Sequence, residues 1–229
     1  VTHLRSDYTL QKCNLTKGEA KNIIFVATRN RGKLREIKDL LREEGYLLYS
    51  LIDYPHVPTI DETGNTLEEN ARKKALEVAK LTGYITLADD SSLEIDALSG
   101  KPGITSARFL GAQATDRDRN LKVLQLVNGL PEEERKARFR CVIAIAKPDG
   151  SCESAEGQCR GFIADRLRGR RGFGYDPIFY VSRYKKTMAE LEPGLKNRIS
   201  HRALAIQKAK KILRRMRQRD CGSVRGNEG

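Results

Sequence analysis

Leu87-Ala88-Asp89-Asp90-Ser91-Ser92-Leu93 sets two adjacent carboxylates between two apolar runs. Upstream, Tyr84 to Ala88 reads as a buried strand, apolar apart from Thr86 and preceded by Gly83. Downstream, Leu93 to Leu98 alternates apolar and polar residues. Residues 89–92 are therefore expected at a strand end, where a sheet edge meets a ligand cleft. Neighbouring carboxylates repel each other unless a divalent cation or a water network shares their charge. A solvated acidic turn closed by two serines is the plainer alternative.

Working outward, Ile23 to Ala27 is a first core strand. Thr28-Arg29-Asn30-Arg31-Gly32-Lys33 then turns into a helix with Leu34, Ile37, Leu40 and Leu41 on one face. Free N–H groups at such a helix start, with Lys33 beside them, favour an anion, although neither a Walker loop nor a dinucleotide turn is present. The acidic turn at Asp61-Glu62-Thr63-Gly64 precedes Thr66-Leu67-Glu68-Glu69, a capping-box pattern opening a helix to about Leu81. Its basic residues Arg72, Lys73, Lys74 and Lys80 are read mainly as solvent-facing, with one in reach of a phosphate. A helix starting at Thr115 or Asp116 carries Leu121, Leu124, Leu126 and Val127. Arg138 to Ala146, a Pro148-Asp149-Gly150 turn and residues 152–163 form a hairpin. The expected fold is α/β with a mixed sheet.

Gly169 to Pro177 is rich in glycine and aromatics. Phe173 and Tyr175 flank Gly174 and in extended backbone would face the same way. Either offers a stacking surface for a base beside the acceptor Asp176, and the plainer alternative is a tight turn with the aromatics packed into the core. Ser200 fits an N-cap, placing His201 and Arg202 in a first helical turn, where positive charge opposes the dipole and a bound anion or polar base would justify it.

The chain has 229 residues, 39% of them hydrophobic, and a formal net charge of +13. That charge attracts any polyanion, but basic surface is weak evidence for nucleic-acid function. No signal-peptide pattern or membrane-length apolar run is read in it, and an intracellular, cytoplasmic protein is expected. Five cysteines without a close pair read as free thiols. Residues 1–22 read as a weakly ordered extension, 23–218 as the domain, and 219–229 as a flexible tail.

From Ile23 to Met216 the chain resembles the inosine triphosphate pyrophosphatase family, which includes the Ham1-like non-canonical purine nucleoside triphosphate pyrophosphatases. The resemblance rests on motifs in one order: Thr28-x-Asn30-x-Gly32-Lys33, Glu62-Thr63-Gly64, Glu69-Asn70-Ala71, Ala88-Asp89-Asp90-Ser91, Pro102-Gly103-Ile104, Ser106-Ala107-Arg108, Phe173-Gly174-Tyr175-Asp176-Pro177-Ile178-Phe179 and Ser200-His201-Arg202. It implies two lobes around a long central sheet with the nucleotide held between them, a homodimer, and no stable nucleic-acid or membrane partner. The implied activity is Mg²⁺-dependent hydrolysis of ITP, dITP or XTP to the monophosphate and pyrophosphate, with Mn²⁺ as a substitute. Carried across, residues Thr28 to Lys33 hold the triphosphate with help from Ser91. Asp61 or Glu62, with Asp89 and Asp90, hold the metal, and Asp90 activates water. Phe173 to Asp176, Lys196, His201 and Arg202 surround the base. Arg29 and Ser92 stand where the family usually has glycine. The competing expectations are a Maf-like pyrophosphatase of different base preference and a basic nucleic-acid-binding protein.

Overall fold

Four consecutive apolar residues, Ile23–Val26, are all buried and form β1, the seed of the sheet. Burying Phe25 completely contributes about 1.5–3 kcal/mol. β1 pairs in parallel with β2 (Leu47–Ser50) and with β3 (Ile85–Ile95), in registers that set Ile23 against Leu47 and Val26 against Leu87. The structure, a computed structural model, describes residues 22–222, with side chains as far as Arg217. The expected extension up to residue 21 lies outside the described residues, as do residues 223–229.

The remaining strands are β4 (Pro102–Gly103), β5 (Lys136–Ala146), β6 (Cys152–Ile163), β7 (Phe179–Val181) and β8 (Lys186–Thr187). The sheet order is β2-β1-β3-β5-β6-β7-β8, with β4 antiparallel on β3. The β6–β7 and β7–β8 pairs are antiparallel, so the sheet is mixed, as expected. The helices are α1 (Arg31–Leu41), α2 (Leu67–Thr82), α3 (Asp116–Leu126), α4 (Pro193–Ile199) and α5 (His201–Gly222). α5 thus runs past the tail boundary expected at residue 219.

Two units divide this fold. The first gathers the described residues through Asp90, Val142–Ala155 and Ile206 onward; the second holds Ser91–Cys141 and Glu156–Ala205. The chain therefore passes between them four times, inside β3, β5, β6 and α5. In the first unit the small residues Ala71, Ala75 and Ala79 of α2 pack with Phe25, Ala88 and Val142. In the second, Phe139, Phe179, Ile178 and Leu93 form the centre of a separate core, and the Phe139 and Phe179 rings stack at 4.3 Å.

Local signals placed the helix starts well. The Thr66 hydroxyl accepts from Glu69 N, but the Glu69 carboxylate accepts from Asn65 N instead of closing the box on Thr66. Thr115 and Asp118 do make a complete capping box on α3. Its apolar set splits: Val123 is buried, whereas Leu121 and Leu126 are 44% and 43% exposed. The basic stripe of α5 is partly paired, Lys210 and Arg214 with Glu44 and Arg215 with Glu153. Cys141, Cys152 and Cys159 are free thiols; Cys13 and the side chain of Cys221 lie outside the described residues.

One expectation is corrected. Residues 89–92 do not end a strand; they sit in the middle of β3, which continues to Ile95. Asp and Ser are typical turn residues, but no glycine or proline interrupts this run, and partners for its polar side chains let the extended backbone continue.

Candidate active site

Strand geometry sends successive side chains to opposite faces. In the first unit the consecutive carboxylates Asp89 and Asp90 accordingly meet different cations. Asp89 is ion-paired with Lys33 from the first turn of α1, and its carboxylate is fully buried. Asp90 faces Lys74 from α2 at 3.4 Å. The Lys74 ammonium also donates to Glu62 Oε1 at 2.7 Å and to the Asp89 carbonyl at 2.8 Å. Its three protons thus have three acceptors, all on segments that the sequence marks as acidic.

Asp90 is buried, and its Oδ2 has no hydrogen-bond partner among the described residues. Burial pushes its pKa above the ordinary carboxylate range; Lys74 and Lys33 oppose the shift, while Glu62 and Asp89 add to it. For Lys74 burial works against the charge, but Asp90, Glu62 and Asp89 outweigh it and hold the ammonium above its ordinary value. Asp61 is exposed, and only Glu62 of that pair reaches the lysine.

Beside this cluster, Asn30 caps α1 by accepting from Lys33 N at 3.0 Å, and Asn30 N donates to the Thr28 hydroxyl at 3.2 Å. The turn is thereby fixed with the positive end of the helix dipole at its mouth. Arg31 is exposed and Gly32 half-buried in the first turn. Arg29 is used differently: its guanidinium donates to the carbonyls of Leu51, Val57 and Pro55 at 2.7, 2.5 and 3.3 Å. It ties the segment after β2 to the turn. Its φ lies outside the left-handed region, so glycine is not required there.

The second unit builds a different chemistry. Phe173 lies under two cations, Lys196 Nζ at 5.2 Å and Arg202 Cζ at 5.5 Å from its ring centroid. Lys196 and Asp176 form a buried ion pair, and Asp176 also accepts from Phe173 N at 2.9 Å. Gly172 has φ +77°, and a Cβ there would fall 2.0 Å from Asp176 Oδ2, so a side chain would expel the carboxylate. Arg202 donates to the Ser91 hydroxyl at 3.0 Å. Ser200 caps α5 by accepting from Ala203 N, and His201 stacks on Phe139 at 4.6 Å. Ser92 is buried and donates to Glu94 at 3.1 Å.

Phe173 and Tyr175 do not share a face, contrary to expectation. Gly174 between them has φ +60°, so the backbone is not extended. Tyr175 turns into the core and donates to the Ser106 carbonyl at 2.9 Å, and burial raises its pKa. Asn120 and Asp116 of α3 hold Gly174 through its carbonyl and amide at 2.9 and 2.7 Å. These two and the specific choice of Lys74 were missed. A polar Asn120 inside the apolar stripe of α3 was the available signal.

Among the described residues no group of three or more His, Cys, Asp or Glu is gathered at metal-binding distances. The residues nonetheless fit a hard divalent cation: Glu62 and Asp90 supply oxygen donors, and Asp90 has a buried oxygen without a partner.

A sequence profile of the Ham1 family matches residues 24–212. A dITP/XTP pyrophosphatase of Desulforamulus reducens is 51% identical over 193 residues, covering 84% of this chain and 96% of that protein. One of Geobacter sulfurreducens is 50% identical, covering 80% and 92%. Among solved structures, a HAM1 protein from Coxiella burnetii superposes with a TM-score of 0.75 at 42% identity, covering 84% of this chain and 98% of the other. The Staphylococcus aureus Ham1 protein gives 0.74 at 38% identity, with coverage of 84% and 98%.

Proposed function

Since the chain belongs to the Ham1 family, we propose that it hydrolyses ITP, dITP and XTP to the nucleoside monophosphate and pyrophosphate. The single observation that carries this reading is the buried Asp90, with one oxygen unpartnered among the described residues, Lys74 facing it and Lys33 paired with its neighbour Asp89. In the reaction one water is consumed, its oxygen bonds to phosphorus, and the bond to the departing pyrophosphate breaks. Asp90 accepts the water's proton, and its raised pKa makes it a stronger base than an exposed carboxylate. Lys33 and Lys74 offset phosphate charge, and the Thr28–Lys33 turn, including Arg31 and Gly32, orients the chain of phosphates with Ser91. Mg²⁺, or Mn²⁺ in its place, would be held by Glu62, Asp90 and Asp89, with Asp61 nearby in sequence; when bound it supplies charge neutralisation and polarises water.

The base lies on Phe173, with Lys196, Arg202 and His201 near it. Cationic donors suit the O6 acceptor of a 6-keto purine and leave the amino group of adenine unmatched. We assign residues 23–218 to this catalytic domain and take the working assembly to be a cytoplasmic homodimer, with no stable nucleic-acid or membrane partner. Among the described residues no helix is long and apolar enough to cross a membrane. Pyrophosphate release from ITP, XTP, dITP, ATP, dUTP and dTTP tests the reading, with and without a chelator. Fast turnover of ITP and XTP, abolished by chelation and restored by Mg²⁺, is expected; preference for dTTP or dUTP would refute it.

A further inference from the structure

The second unit contains a recess of about 160 Å³ that includes none of the residues assigned to the reaction. Arg135, Arg168, Glu132, Asp165, Phe162 and Tyr180 line it. Arg135 Nε and Arg168 Nε are both buried, and neither has a hydrogen-bond partner among the described residues. A buried donor without an acceptor is costly, more so when charged, and such groups in folded proteins normally find one. Both guanidinium-bearing side chains line the one small recess, so a ligand entering it meets two cationic donor groups.

The surrounding charges agree. Asp165 is committed: it accepts from Arg168 at 2.6 Å and lies 3.4 Å from Arg166, and the Arg168 hydrogen bond holds its pKa below the ordinary value. That bond, and the Tyr180 ring 6.0 Å from the guanidinium, fix Arg168 in place while leaving Nε unserved. The Arg135 side chain makes no hydrogen bond or ion pair among the described residues, and Glu132 is exposed at the edge. An adjoining cleft of about 430 Å³ shares Phe162 and is lined by Lys136, Arg160, Arg183 and Arg138, the last ion-paired with Glu94, and by one carboxylate, Asp96. Concave walls with this excess of cations concentrate anions.

We propose that this recess binds a phosphoryl oxyanion, either inorganic phosphate or the phosphate of a small monoester. Guanidinium groups suit such a ligand because their N–H donors match its oxygens and their charge survives burial. The recess is compact enough for one phosphoryl group, and a monoester would extend its organic part beyond it.

Equilibrium dialysis of labelled inorganic phosphate against the full chain, repeated with labelled ribose 5-phosphate, tests the proposal. Arg135→Gln should weaken a phosphate site by about 10-fold or more, the worth of a charge-assisted hydrogen bond. Because the Arg135 side chain makes no hydrogen bond or ion pair among the described residues, this variant breaks no polar contact there. Lys33→Ala should leave the same site unchanged, which separates it from phosphate binding at the catalytic cluster. Arg135-dependent binding of the free ion identifies inorganic phosphate as sufficient; Arg135-dependent binding of the ester alone identifies a monoester site. Binding of both probes that is indifferent to Arg135→Gln and to the Arg135→Gln/Arg168→Gln pair, or no binding of either by the parent chain, overturns the proposal.

Discussion

Asp89 and Asp90 are neighbours in β3, yet Asp89 is paired with Lys33 and Asp90 with Lys74. The alternation of a strand turns a repulsive pair into two separately compensated charges. It also divides their work, because of the two only Asp90 keeps an oxygen without a hydrogen-bond partner among the described residues.

Asp90→Asn keeps the shape and removes the base. Turnover of ITP at saturating Mg²⁺ should fall by about 100-fold or more. The folded protein should survive, since ionised Asp90 is disfavoured by its own burial. Steady-state kinetics beside a thermal melt checks both; near-normal kcat would move the base to another carboxylate.

Lys74→Met separates the lysine enclosed by Glu62 and Asp90 from its cationic neighbours on the helix. It leaves Glu62 and Asp90 without their shared cation, so stability should drop by about 3 kcal/mol and activity should be lost. Lys73→Met, which removes a contact to the Thr63 hydroxyl, should change stability by about 0.5 kcal/mol or less. Equal effects in urea melts would contradict the distinction.

Phe173→Ala and Tyr175→Phe should part company. The first should raise KM for ITP about 10-fold through lost base stacking, with little effect on stability. The second loses the hydrogen bond to the Ser106 carbonyl and should cost about 1 kcal/mol of stability, with KM unchanged. A KM shift from Tyr175→Phe would place that ring at the base instead.

Glu94 bridges Arg138 at 2.6 Å and Arg140 at 3.1 Å, and Arg140 continues to Glu156 at 2.6 Å. Burial raises the Glu94 pKa, but the Arg138 and Ser92 hydrogen bonds and the Arg140 charge more than reverse this, leaving it lowered. A lowered carboxylate stabilises the fold above its unfolded pKa, 4.5, and loses that contribution as pH falls through the folded value. Glu94→Gln should therefore be less stable by about 1 kcal/mol at pH 7, with the gap closing below pH of about 4.5. Parallel denaturant titrations at the two pH values measure it; a gap that widens in acid would reverse the sign.

Gly157 of β6 lies against the start of α5, where an added Cβ would fall 2.2 Å from the His201 carbonyl oxygen and 2.3 Å from Ala205 N. Backbone cannot yield as a flexible side chain does. Gly157→Ala should shift the turn that carries His201 and Arg202 and cost about 1–3 kcal/mol of stability. KM for ITP should rise more than kcat falls; unchanged kinetics in a folded variant would show that the turn is not displaced.

Features written in short stretches of sequence were legible. Thr66, Thr115 and Ser200 cap helices where the sequence places their starts, because a cap depends on three or four consecutive residues. Asn30, which the sequence reading does not pick out as a cap, caps α1 as well. Tertiary choices were not. Arg72, Lys73, Lys74 and Lys80 are equally cationic in α2, and only the packing of that helix selects Lys74 for burial. Arg29 suggested a phosphate contact by its charge, whereas three carbonyls on a later segment claim it. The continuation of β3 through residues 89–92 was hidden because side-chain partners distant in sequence offset its turn-like composition.

The four passages of the chain between its two units limit how this protein can be altered by recombination. A single crossover exchanges parts of both units, although one placed between Asp90 and Phe173 separates the lysine–carboxylate cluster from Phe173, Asp176, Lys196 and Arg202. Exchange of the whole second unit needs four junctions, three of them inside strands β3, β5 and β6 and the fourth inside α5. Base preference in such a chain is therefore open to change by substitutions around Phe173 or by exchange of a segment within Glu156–Ala205, whereas the second unit as a whole is not one contiguous module.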